Sequence, residues 1–127
     1  MNLPDYVKPL PKFFSRFSYK GFTIIFLKKI FLRREIFDNL NSTNPSVTNI
    51  SILKHEEVHL RRGGKLKSLR YLISKLRLEE ELIAYKEQFK FLKKHKEVYD
   101  LENVAKHLPG LNYEKAKKVI NKTWEDA

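Results

Sequence analysis

The run His55-Glu56-Glu57-Val58-His59 places two imidazoles four residues apart, with a carboxylate directly after the first. On a helix, positions four apart lie one turn above each other on the same face. Both rings can then point at one ion, near the 2.0–2.1 Å typical of zinc–nitrogen bonds. Glu56 is offset by one residue, so its carboxylate can reach a metal-activated water and accept its proton as a general base. Composition alone would produce this spacing by accident on the order of once in a hundred such chains.

A catalytic zinc site needs a third protein ligand and one open position. The downstream candidates are Glu79, Glu80, Glu81, His95 and His107. His95 sits among lysines in Lys93-Lys94-His95-Lys96 and reads as part of a solvated face. His107 precedes Leu108-Pro109-Gly110 and reads as a helix-end histidine, with donation to a reacting carbonyl as the alternative. Tyr71 and Tyr85 can also polarise a carbonyl, but their leucine neighbours favour core packing.

These side chains need elements to carry them. Pro4, Pro9 and Pro11 make residues 1–12 an extended arm. Residues 13–127 then form one domain, with a core over about 22–96 and C-terminal helices over about 100–125. Apolar and β-branched residues over 22–27 and 30–37 predict two short strands around Lys28-Lys29, a candidate hairpin. Residues 38–47 read as a loop, and a helix capped by Thr48 or Asn49 carries the two histidines to Arg61-Arg62, where Gly63-Gly64 stops it. The leucines over 66–76 mark a short helix, and a longer one runs over 78–96. A short helical piece follows Asp100, and Asn112 caps a last helix through Trp124. Strands first and helices after argue for an α+β fold: a small N-terminal antiparallel sheet or hairpin, then the histidine helix and a helical C-terminal half.

A second helix opening Glu81-Leu82-Ile83-Ala84-Tyr85 behind a His-Glu-x-x-His helix resembles the gluzincin zinc metallopeptidases, above all their small minimal domains. The resemblance spans about residues 22–91. It implies a zincin-like fold, with Zn2+ held by His55, His59 and Glu81 and with Glu56 as the catalytic base. It also implies that an edge strand beside the motif helix, around residues 30–34, binds a peptide or protein substrate in extended form. Glu57 stands where that family usually has an apolar residue, and Glu80 adjoins the implied third ligand.

Composition bounds the alternatives. The chain has 127 residues, no cysteine and a formal net charge of +11. Without thiols any metal must be held by His, Asp or Glu, and thiolate catalysis is excluded. A 42% hydrophobic share is enough to build a core. The apolar stretch over 22–32 is broken by Lys28-Lys29 and is too short to span a bilayer, and the first residues do not read as a secretory signal, so a cytoplasmic protein is expected. The positive charge admits a nucleic-acid-binding module, with Arg61, Arg62, Lys65, Lys67 and Arg70 the densest cluster, or a membrane-surface or partner-binding role for residues 12–37. Charges spread along the chain favour solvated lysine-rich faces over either.

Overall fold

Alternation in Lys29-Ile30-Phe31-Leu32 sends Ile30 and Leu32 to one face of a strand, and both are fully buried. The computed structural model describes residues 1–11, 20–24, 27–63 and 74–127. Among these, three short strands form one sheet: β1 (Val7–Pro9), β2 (Gly21–Ile24) and β3 (Lys29–Leu32), in the order β1-β3-β2. The expected hairpin is present, with β2 antiparallel to β3 and Ile24 opposite Lys29. Its turn places Lys28 at φ 55°, in the left-handed region that a turn this tight demands.

Two expectations for this half change. The proline-rich arm is extended, but it is also part of the sheet. Val7–Pro9 pairs in parallel with Ile30–Leu32, and Val7 and Leu10 are buried. Pro9 ends the strand, where its missing N–H costs no ladder bond. The second strand stops at Leu32, and residues 33–37, read from sequence as strand, turn into α1 (Arg34–Leu40). Ile36 and Leu40 are four apart and both buried, the helical spacing that a period-two reading of this stretch overlooks.

The motif helix α2 spans Val47–Arg62 and starts slightly earlier than its sequence suggests. Ser46, not Thr48 or Asn49, is the cap: its Oγ accepts from the Asn49 amide at 3.1 Å. The helix ends before Gly63 as expected. The leucine-rich segment 66–73 lies outside the described residues. After it, α3 runs Ser74–Lys94, α4 Leu101–Lys106 and α5 Tyr113–Asp126. Asp100 and Asn112 cap the last two through side-chain oxygens that accept from Asn103 and Lys115 amides.

The core has two centres. One joins the sheet, α1 and α2 through Val7, Ile30, Leu32, Leu40 and Leu53. The other joins α3, α4 and α5 around Phe89, Leu92, Ala116 and Ile120. The seam between α2 and α3 lies between these centres, and among the described residues the buried polar side chains, Ser51, His55, Glu56, His59 and Gln88, gather there. Among the described residues no helix is long and apolar enough to cross a membrane.

Candidate metal centre

Ile52, His55, Glu56 and His59 fall at i, i+3, i+4 and i+7 and share the face of α2 that looks into the seam. His55, Glu56 and His59 are all buried. Across the seam α3 runs antiparallel, and two polar ties set its register. At one end Arg62 grips Glu80 with two bonds, Nε to Oε2 at 2.8 Å and Nη2 to Oε1 at 3.1 Å. At the other, buried Gln88 donates to Ser51 Oγ at 3.2 Å, and Ser51 donates on to the Thr48 carbonyl at 2.6 Å.

Between these ties the Glu81 carboxylate meets both histidines. His59 Nε2 lies 2.9 Å from Glu81 Oε1, His55 Nε2 lies 3.2 Å from Oε2, and the two Nε2 atoms are 3.2 Å apart. Three ligands of a tetrahedral ion with bonds of 2.0–2.1 Å are separated by about 3.3 Å, the bond length multiplied by 1.63. The triangle has that size, and its nitrogen and oxygen donors suit a borderline metal. The group His55, His59 and Glu81 can hold a metal ion. Of the other downstream candidates, Glu80 is committed to Arg62, Glu79 is exposed, and His95 is exposed with its Nδ1 bonded to the Phe91 carbonyl. The third ligand expected from the resemblance, Glu81, is the one that the geometry brings to the histidines.

Glu56 lies beside this triangle. Its Oε2 accepts a 2.9 Å hydrogen bond from Thr23 Oγ1 on β2, and the same hydroxyl is 3.2 Å from the Glu56 carbonyl. Sequence reasoning missed Thr23, since nothing in its neighbourhood marks a partner 33 residues away. At Gly21 a Cβ would crowd β3, standing 2.7 Å from Leu32 Cδ2 and 3.0 Å from the Phe31 carbonyl oxygen, so the glycine eases the close pairing of β2 with β3. Glu57, on the opposite side of α2, accepts from the Tyr6 hydroxyl, which burial and this carboxylate push up to about 12. The residue that departs from the family pattern thus anchors the N-terminal arm.

A cavity of about 360 Å³ opens over the triad. Tyr85 borders it, with its ring edge-on to His55 at 4.3 Å between centroids and stacked on Phe89 at 5.6 Å. His107 borders it too, held as a helix-end residue by donation from Nδ1 to the Asn103 carbonyl at 2.8 Å. Tyr71 lies outside the described residues. The cavity's other wall is β2, with Gly21, Phe22 and Thr23 in sequence. Residues 30–34, expected to be the substrate-facing edge, do not occupy that place. The strand over 29–32 is the centre of the sheet, paired on both sides, so it has no free edge, and among the described residues β2 is the outer strand beside α2.

Arg61 is 3.8 Å from Glu87 and Arg62 is bound to Glu80, so two members of the basic cluster face carboxylates. Lys65, Lys67 and Arg70 lie outside the described residues. Comparison with family models, with curated proteins and with solved structures yields no match. The site therefore stands on its own geometry.

Charge coupling in the metal-free triad gives a pH signature. Burial alone would raise the Glu81 carboxyl, but bonds from His55 and His59 hold it well below its ordinary 4.5. Burial would lower His59, but the Glu81 bond and the charges of Glu81, Glu56 and Glu80 raise it above 6.5. The Glu81 contribution is complete above 4.5 and fades as pH falls towards its folded value. The His59 contribution is complete below 6.5 and fades as pH rises through its folded value. Melting temperatures of chelator-treated protein should therefore peak between 4.5 and 6.5. Glu81→Gln should flatten that maximum, and a maximum unmoved by Glu81→Gln would contradict the coupling.

Proposed function

We propose that this chain is a small zinc-dependent peptidase of the gluzincin type. His55, His59 and Glu81 hold the zinc, and Glu56 is the general base. The observation that carries the reading is the buried Glu56 carboxylate, held by Thr23 beside a metal-sized His-His-Glu triangle on the wall of a cavity. A structural metal site would have no use for a second, uncoordinated acid kept there.

Bound zinc supplies a Lewis acid that acidifies water and polarises a carbonyl. The chain's own residues do the rest. Strand β2 offers its outer backbone edge to an extended peptide, which adds to the sheet and presents one carbonyl to the triad. Glu56 accepts a proton from the attacking water as its oxygen bonds to the carbonyl carbon. The same carboxyl then gives that proton to the leaving nitrogen as the C–N bond breaks. Tyr85 borders the same cavity, and its hydroxyl is our candidate donor to the carbonyl oxygen as it gathers charge. His107 also borders it, but its Nδ1 proton goes to the Asn103 carbonyl, so its Nε2 donates only as an imidazolium.

Incubation with an unstructured peptide mixture, followed by mass spectrometry, tests the reading. Cleavage should stop with a zinc chelator and return when zinc is restored. A zinc-loaded chain that cuts no peptide would overturn the peptidase assignment.

A further inference from the structure

Among the described residues that line the cavity beside the triad, the carboxylates are Glu56 and Glu81, both assigned to the reaction, and Lys20 adds a cation. The chain's overall charge of +11 has the same sign and favours approach of an anion from a distance.

Lys20 is the group best placed to read that anion. It immediately precedes β2, the strand proposed to align the peptide. Its Nζ donates to the Tyr99 hydroxyl at 3.1 Å and lies 4.6 Å from the centre of the same ring. Two ties to one tyrosine fix the ammonium in place, but neither neutralises it, because a hydroxyl has no charge and a ring face offers only a quadrupole. Among the described residues no carboxylate pairs with Lys20. Tyr99 lines the cavity as well, so the pair faces the same space as the triad.

We infer that the cavity selects a peptide bearing a carboxylate, which pairs with Lys20. This rests on the peptidase reading. An acidic side chain and a free C-terminus share this chemistry, and a binding experiment separates them. Zinc-loaded Glu56→Gln protein, which keeps the pocket but lacks the base, is titrated with three fluorescent peptides of otherwise identical sequence. One carries an internal glutamate and an amidated end, one is neutral with a free C-terminal carboxylate, and one is neutral and amidated.

At least one carboxylate peptide should bind roughly tenfold tighter than the neutral one, the scale of a charge-assisted hydrogen bond. Whichever it is identifies the source. Adding Lys20→Met should abolish the preference, and Lys20→Glu should turn it towards a lysine-bearing peptide, a reversal that mere damage to the fold would not produce. Equal binding of all three peptides would overturn the inference. So would a preference that survives Lys20→Met, since the carboxylate would then be bound by the metal itself. Failure of the peptidase reading shows separately, as wild-type protein that binds no zinc or cuts no peptide.

Discussion

Wild-type protein dialysed against zinc should retain a single equivalent of metal, and His59→Ala should retain almost none. His55→Ala and Glu81→Gln should do the same, because each removes one corner of the triangle formed by the three side chains. The loss of affinity should exceed the roughly 10–100-fold that removal of an outer-shell partner costs. The triangle exists only in the folded chain, so zinc at a hundredfold excess over Kd should stabilise wild type by about 2.7 kcal/mol. For a domain of this size that is a rise in Tm of roughly 10 °C, and the variants should show none of it. Glu80→Gln is the informative contrast. It breaks the Arg62 clamp but should keep its zinc, whereas zinc lost in Glu80→Gln and kept in Glu81→Gln would reassign the third ligand.

The second large effect is expected at Glu56. Glu56→Gln should lower kcat by roughly 10²–10⁴, the usual contribution of a general base, and leave zinc content and Tm unchanged. A variant that hydrolyses peptides at the wild-type rate would remove Glu56 from the reaction. Thr23→Val tests the residue that positions it. Losing the 2.9 Å bond to the Glu56 carboxylate should cost roughly tenfold in kcat with little change in KM. Thr23→Ser, which keeps the hydroxyl, should recover most of the rate. A general loosening of β2 would instead affect both variants alike.

Much of this site could be read in the sequence, for identifiable reasons. His55, Glu56 and His59 are local: helical spacing alone puts them on one face, and α2 ends before Gly63 as its flanking signal says, although Ser46 and not Thr48 or Asn49 caps its start. Glu81 is less local. The triplet Glu79-Glu80-Glu81 offers three acids, and only the family likeness of Glu81-x-x-Ala84-Tyr85 picks one before Arg62 is seen to occupy Glu80. Thr23 and Lys20 lie further from any signal. Their partners, Glu56 and Tyr99, are 33 and 79 residues away, and a lone threonine in a short strand or a lysine just before it carries no mark of either.

The fold divides along the same line. The helices over 47–62 and 113–126 follow from caps and periodicity, close to the bounds expected. Strand β1 does not, because its pairing of Val7 with Ile30 is long-range and its prolines argue against a strand. By occupying one side of β3, that one strand makes β3 central and leaves β2 outermost among the described strands, which is why the proposed function puts an extended peptide at β2.

The hydrogen bond from Tyr6 to Glu57 ties the motif helix to the N-terminal arm. Each of the five residues from His55 to His59 is engaged in the fold: the histidines with α3, Glu56 with β2, Glu57 with the N-terminal arm, and Val58 packed out of solvent. The stretch is therefore not a portable cassette. Grafted onto a helix of another protein, it would bring two imidazoles at the right pitch but neither the carboxylate of Glu81 that closes the triangle nor the hydroxyl of Thr23 that holds Glu56. What defines the centre is the convergence of three distant chain segments on one helical turn.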